Sequence, residues 1–560
     1  MNSNEIAGRD LQQVFAAAQH SFSRRRFLAV GGAALAGFAG SSLLSACGAS
    51  GGSSTKASDA LTVGVYQEPD TLDPNATGLA LSSLIASAIF DPLMWWLPNA
   101  SGGNEYVPGL ATSYTVSPDA KVYTFKLRQD VTFHDGTKFD AEAVKATFEH
   151  IADPATKSRS ALGSLGPYKE TKVLDPYTAQ VVFSQPNAAF VHEMTTILFG
   201  MSSPTAIKKY GPTGFGNNPV GTGPFKFVSY ATQDHISLEV NPAYKWGPAT
   251  FGPAGPAKLK TLTFKILPDT NTRYSALRAG QLGMAMNLDP NNIQAIKKSG
   301  SFTHYNVPST GQPYGYPLNV TKEPTNELAV RQAILHAVDQ DKMNQTVLSG
   351  AYEPAHDLLT PTTPGFSKAS SSLYPYDPEK AKSLLNGAGW QAGSGGVRSK
   401  NGKPLHLDIL IQSSNGFDLP TQYIVNELQA VGFSANISAQ PFLTAAASYN
   451  KGVQNMAAIF YYDVDPYFLQ GLTGCNAIAS GFNWGHYCQP AIDSALIHAN
   501  GVVDAAARTI ELENIATKLM QDATFLPLYN VSGVYSAVKN LAGLHFGVTG
   551  YALFHTAQLT

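Results

Sequence analysis

Residues 218–225 read Asn218-Pro219-Val220-Gly221-Thr222-Gly223-Pro224-Phe225, a glycine- and proline-rich turn that runs straight into β-patterned sequence. Strands are predicted immediately after it, at 225–229 and 236–240, where apolar residues alternate with polar ones. Glycine and proline supply the abrupt changes of direction that such a junction needs. The loop lacks the Gly-Lys-Ser/Thr of a phosphate-binding loop, so nucleotide binding is not supported.

Upstream of the loop the texture is mostly β. Strands are predicted at 113–116 and 122–127 around Pro118-Asp119, with Tyr123, Phe125 and Leu127 on one face. Phe133-His134-Asp135-Gly136 reads as a turn, and Asp140 caps a helix that places Val144, Phe148 and Ile151 on one side. A hairpin folds 173–183 around Asp175-Pro176. Further back, Leu61-Thr62-Val63-Gly64-Val65 is a buried strand, Glu68-Pro69-Asp70-Thr71-Leu72-Asp73-Pro74 follows it, and 80–90 is helical.

Downstream, a strand at 262–267 precedes a helix at 271–279 closed by Gly280. After Tyr314-Gly315-Tyr316 the pattern becomes a clearer α/β alternation. Helices are predicted at 327–337, 378–388, 419–431 and 505–521, and strands at 405–411 and 457–461. Asp377, Pro378 and Gly389 supply the cap, first turn and stop of the second helix. In the last helix Ile510, Ala516 and Leu519 are expected to face inward, and Phe525-Leu526-Pro527-Leu528-Tyr529 forms a short closing strand.

The amino terminus is a targeting segment. Ser23-Arg24-Arg25-Arg26-Phe27-Leu28 resembles a twin-arginine export signal, an apolar run follows to Leu44, and Leu44-Ser45-Ala46-Cys47 resembles a lipobox. Six Gly and Ser residues dilute the apolar run, which is barely long enough to span a bilayer. Residues 1–46 are therefore expected to be a twin-arginine-type lipoprotein signal peptide, with Cys47 the lipidated residue. Residues 47–59 form a flexible Gly/Ser tether, and the rest works outside the cytoplasm, anchored to the cell membrane by that lipid.

What remains is long enough for two or three domains with real cores. The 38 Lys+Arg against 40 Asp+Glu leave no basic field for nucleic acid or an anionic membrane surface. Charged residues make up only 14% of the chain, while 25 Tyr and 28 Phe suit both core and a surface that contacts varied ligands. With Cys47 assigned to the lipid, Cys475 and Cys488 are an even pair in an oxidising compartment, and a disulfide is expected. It closes a loop of about 14 residues, which restricts the unfolded chain by roughly 3 kcal/mol.

Motifs for chemistry are lacking. Gly48-Ala49-Ser50-Gly51-Gly52 matches a nucleophile elbow but sits between no strand and helix, and Ser53-Ser54-Thr55-Lys56 has no Lys-Thr-Gly to complete it. His134-Asp135 lies in a turn, and His192-Glu193 lacks the second histidine of a zinc protease. No catalytic residue, metal site or cofactor is assigned, and no enzyme activity is expected.

Several stretches together resemble one family in the expected order. They include Pro69-Asp70-Thr71-Leu72-Asp73-Pro74, Val107-Pro108-Gly109-Leu110-Ala111 and Tyr123-Thr124-Phe125-Lys126-Leu127-Arg128. Val131-Thr132-Phe133-His134-Asp135-Gly136, the 219–225 loop, Val330-Arg331-Gln332-Ala333-Ile334, Ala337-Val338-Asp339 and Tyr376-Asp377-Pro378-Glu379-Lys380-Ala381 continue the series. The chain resembles the extracytoplasmic solute-binding proteins of ABC importers, family 5, in the dipeptide- and oligopeptide-binding branch. The resemblance implies an α/β, two-lobed periplasmic-binding-protein-like (class II) fold with an extra domain inserted in the first lobe. Lobe one would take 60–106, 213–308 and 525–560, the insertion 107–212, and lobe two 309–524. It further implies a monomer that captures peptides between closing lobes and hands them to ABC permease subunits with their ATPase. A non-peptide solute (an oligosaccharide, opine or metal complex) and a secreted lipoprotein hydrolase are the alternatives.

In peptide-binding relatives an acidic residue near the end of Phe460-Tyr461-Tyr462-Asp463-Val464-Asp465-Pro466 receives the ligand's α-ammonium group. Asp463 stands three residues before Pro466, one closer than the family spacing, so Asp463 and Asp465 both remain candidates, as do helix-capping roles. Tyr461 and Tyr462 flank them. The resemblance also makes Asn483 and Trp484, between the two cysteines, candidates for an amide and a stacking face. Tyr66, Trp95 and Trp96 are candidates from lobe one, with core burial the competing role for each.

Overall fold

The 219–225 loop is glycine-rich because it runs against the end of a helix. A Cβ on Gly221 would lie 2.2 Å from the Ile89 carbonyl oxygen, and one on Gly223 2.6 Å from the Ile89 carbonyl carbon. Only glycine permits that approach, which lets Gly223 N–H donate to the Ile89 carbonyl (2.8 Å) and close the helix Ala80–Ile89. The His134 turn docks on the same loop. His134 N–H donates to the Gly221 carbonyl (2.9 Å), and its Nε2 lies 3.0 Å from the Gly223 carbonyl. Burial pushes the His134 imidazole down to about 4, so it stays neutral, as a structural residue should.

These contacts belong to a computed structural model that describes residues 59–99, 103–393, 395–413, 416–479 and 481–560. The expected signal segment, Cys47 and all but the last tether residue lie outside the described residues. Among the described residues no helix is long and apolar enough to cross a membrane.

The first lobe is built on a seven-stranded sheet. Its order is Phe302–Pro308, Ser532–Val538, Met284–Met286, Ala60–Val65, Thr261–Ile266, His235–Val240 and Phe225–Ala231. Ala60–Val65 is central, mostly buried and parallel to both neighbours, which suits its mainly apolar sequence. A four-stranded antiparallel layer packs beside this lobe, ordered Ala111–Val116, Val122–Leu127, Thr178–Phe183 and Tyr168–Asp175. The helix Ala141–Ala152 lies against it, and Asp140 accepts from the N–H groups of Glu142 and Ala143. The core of this layer joins Phe125, Phe148 and Phe190 to Tyr244 and Trp246 of the first lobe.

The second lobe holds two small sheets. Ser434–Gln440, His406–Gln412 and Met456–Ala457 run parallel, and Ile459–Tyr462, Gly311–Pro317 and Phe525–Tyr529 run antiparallel. The chain crosses between lobes twice, at Ser309-Thr310 and at Asn530-Val531, where Ser309 N–H donates to the Val531 carbonyl (3.1 Å). Phe525–Tyr529 was expected with the first lobe. It pairs with Gly311–Pro317 and is buried in the second core. Ile510, expected inward, is 59% exposed. The buried stripe of its helix is Leu512, Ile515, Ala516 and Leu519, and Ile510 lies about 200° around the helix from Leu512.

Candidate inter-lobe binding site

Ile459–Tyr462 is an edge strand. It pairs with Gly311–Pro317 on one side only, Tyr462 opposite Gly311 and Tyr461 opposite Gln312. Gly311 has φ 126°, and a Cβ there would sit 2.0 Å from the Tyr461 carbonyl oxygen. The strand ends at Asp463 and Asp465, and these two acids have different fates.

Asp465 is fully buried and completely engaged. Arg508 donates Nη1–H to its Oδ2 (2.6 Å) and Nη2–H to its Oδ1 (2.7 Å), a bidentate pair. His192 Nδ1 lies 2.7 Å from the same Oδ2. Tyr467 N–H donates to Oδ1 (2.8 Å), so Asp465 also caps the turn Pro466–Phe468. Burial alone would raise its carboxyl, but the guanidinium and the imidazole hold it well below the usual carboxylate range.

Asp463 is half-buried and meets another acid. Its Oδ1 accepts from the N–H groups of Val464 (2.7 Å) and Asp465 (3.1 Å). Glu193, from the helix Phe190–Glu193 beside the four-stranded layer, is near enough to act on it electrostatically. Burial, opposed by these hydrogen bonds, leaves Asp463 raised to about 6. Glu193 is pushed well above the carboxylate range by burial first and then by the charge of Asp463.

Aromatic rings cluster along this strand and its sheet. Tyr314 stacks between Phe460 (centroids 4.2 Å) and Tyr529 (4.5 Å), and Phe460 meets Tyr462 edge-on at 5.6 Å. Burial, reinforced by the nearby hydroxyls of Tyr66 and Tyr551, keeps Tyr462 neutral. Tyr461 packs on Phe468 and Phe482 and feels the charges of Asp463 and Glu193. Trp96 lies where the lobes touch, packed with Val464 and Val548 and 4.7 Å from the His192 ring.

The other expected residues lie elsewhere. Trp95 is buried with Phe251 and Leu553 inside the first lobe. Trp484 is 1% exposed and packed at a tilt against Tyr449, and its Nε1–H donates to Asn450 Oδ1 (3.1 Å). Asn483 is fully buried and clasps its own loop, donating to the Gly474 and Tyr487 carbonyls and accepting from Tyr487 N–H. Cys475 and Cys488 are joined in the structure and brace this loop, with Cα atoms 4.6 Å apart. Among the described residues no group of three or more His, Cys, Asp and Glu side chains could hold a metal ion.

Three residues were missed. Arg508 sits in a helix that reads as ordinary amphipathic sequence. His192 and Glu193 carry a visible signal, a histidine-acid pair, which the absent zinc motif led away from the cleft.

A family profile described as bacterial extracellular solute-binding proteins, family 5 middle, matches residues 105–480. The glutathione-binding protein GsiB of Shigella flexneri serotype 5b is 28% identical over 496 residues, covering 86% of this chain and 91% of that protein. NikA from Brucella suis, solved with Fe(III)-EDTA, superposes with TM-score 0.78 at 26% identity, over 90% of this chain and all of that one. DppA from Helicobacter pylori, an ABC transporter-associated periplasmic binding protein solved with the peptide STSA, gives TM-score 0.73 at 25% identity over 90% and 99% of the chains. These proteins share the two-lobed α/β fold described above. The chain belongs to the bacterial extracellular solute-binding proteins, family 5.

Proposed function

We propose that this protein is the receptor of an ABC importer, capturing a peptide with a free amino terminus and delivering it to permease subunits without performing a reaction. The observation that carries the reading is Asp463, an acid with no cationic partner among the described residues, at the end of an edge strand between the lobes. An extended peptide can pair its main chain along Ile459–Tyr462 and present its ammonium to Asp463. The tyrosine-rich walls fit varied side chains, because a tyrosine offers apolar area and one adaptable hydroxyl. The peptide and glutathione names among the relatives support the same ligand class.

Lobe one then comprises 60–106, 213–308 and 530–560, with 107–212 inserted and lobe two at 309–529. Titration with a mixed library of di- to pentapeptides should show retention of free-amine peptides at micromolar concentration. Failure of every member at millimolar concentration would end the peptide assignment and move sugars or metal complexes forward.

The lipid anchor at Cys47 belongs to the same proposal, resting on Leu44-Ser45-Ala46-Cys47. Cys47→Ala should leave the protein unlipidated by intact mass and released from the membrane fraction. A variant that stays as membrane-bound as the parent, with unchanged processing, would contradict the anchor.

A further inference from the structure

Asn500 sends its hydrogen bonds out of its own lobe. It ends the helix Pro490–Ala499, where its N–H donates to the Leu496 carbonyl (3.1 Å), and it is only 4% exposed. Its main-chain carbonyl accepts from Ala188 N–H (2.7 Å), its Oδ1 accepts from Ala189 N–H (2.9 Å), and its Nδ2 donates to the Pro186 carbonyl (3.4 Å). These partners lead into the helix Phe190–Glu193, which has no capping side chain of its own, so the second lobe supplies the acceptor. The segment is fixed to the first lobe through the core that Phe190 shares with Tyr244 and Trp246. Further along it, His192 Nδ1 lies 2.7 Å from Asp465 Oδ2. A neutral imidazole protonated at Nδ1 and a charged one both donate there. Trp96 of the first lobe packs edge-on against the His192 ring at 4.7 Å and joins Val464 and Val548.

The second-lobe half of this seam is braced from behind. Arg508 gives its Nε–H to the Ala499 carbonyl (3.1 Å) and both terminal nitrogens to Asp465, so Asn500 and Asp465 keep one spacing without help from the first lobe. The same arrangement makes the seam separable. When the lobes part, Asp465 retains Arg508, and the released groups of Asn500, Ala188 and Ala189 meet water. Opening therefore leaves no charge unpaired and no polar group buried without a partner.

We propose that Asn500, with the His192–Asp465 contact, is a latch that holds the ligand-free lobes together and sets what fraction of the empty receptor is closed. The latch rests on the receptor reading above but not on the class of solute. A receptor that is closed only part of the time binds with an affinity reduced by that fraction. The latch thus scales the affinity for every solute by one factor, whereas Asp463 acts on the amine alone.

Asn500→Ala removes the Oδ1 acceptor and leaves Ala189 N–H unpaired in the closed state. Single-molecule fluorescence transfer between labels on the two lobes should show a closed-to-open ratio about tenfold below the parent's in the absence of ligand. A ligand-free parent found wholly open, or an unchanged ratio in a variant that melts like the parent, would overturn the latch. A crosslink decides the matter even if Asn500→Ala folds poorly. A Cβ on Gly501 would lie 3.6 Å from Pro186 Cβ, within the range that a disulfide spans. Pro186→Cys with Gly501→Cys should therefore crosslink in air without ligand. Once oxidised it should sit wholly in the closed state and bind none of the free-amine library peptides until reductant is added, with the parent in the same reductant as the control for Cys475–Cys488. Failure to crosslink would show that the seam is not closed in solution, and parent-like peptide binding by the oxidised form would show that it does not open to admit a solute. Either result overturns the proposal. A parent that binds no library peptide would sink the peptide reading separately, and the fluorescence measurements would still decide the latch.

Discussion

Asp463→Asn is expected to weaken binding of a free-amine peptide by roughly 30- to 1000-fold, or about 2–4 kcal/mol. When the lobes close, the ligand's ammonium loses water, and an unpaired buried cation costs several kcal/mol. Asp463 is the carboxylate at the end of the edge strand, with backbone N–H groups of Val464 and Asp465 fixing its Oδ1. The asparagine keeps the shape and removes the charge. N-acetylation of the peptide should cost the parent a similar amount and the variant much less, because both changes delete one interaction. Calorimetry on both proteins with both peptides gives the full cycle, and additive losses would show that Asp463 does not hold the ammonium.

Arg508→Ala should cost about 3–5 kcal/mol of stability, because it leaves a fully buried Asp465 with only the His192 ring and the Tyr467 N–H as partners. Chemical denaturation followed by tryptophan fluorescence reads the loss. Asp465→Asn combined with Arg508→Met should recover much of it, since a neutral pair leaves no unpaired charge. The pH dependence follows from the direction of the Asp465 shift. Its folded carboxyl is depressed, so its contribution is present above the unfolded value near 4 and is lost only in strong acid. A loss under about 1 kcal/mol at pH 7 would mean that the Asp465–Arg508 pair is dispensable.

The fold was legible where a pattern had one meaning. Ala60–Val65 is an unbroken β-branched and apolar run, and Asp377-Pro378 with Gly389 brackets a helix at both ends. The strand Gly311–Pro317 was not legible, because two glycines and two prolines argue against a strand, and tertiary pairing on both sides overrides that bias. Ser434–Gln440 was hidden by its polar composition at a sheet edge. Within the site, the sequence brought Asp463, Tyr461, Tyr462 and Tyr66 into view. Which acid lacks a cationic partner was invisible, since that depends on Arg508 and His192, 43 and 273 residues away from Asp465. Asn483 and Trp484 look like a ligand-side loop because polar and aromatic residues are common to both settings, and only burial separates them.

The most direct measurement is native mass spectrometry of the protein isolated without denaturation from the cells that make it. The account predicts a bound mass that fragments as a peptide with an unblocked amino terminus and that is absent from Asp463→Asn. A sugar, a metal chelate or an amine-blocked ligand, retained equally by both proteins, would contradict it.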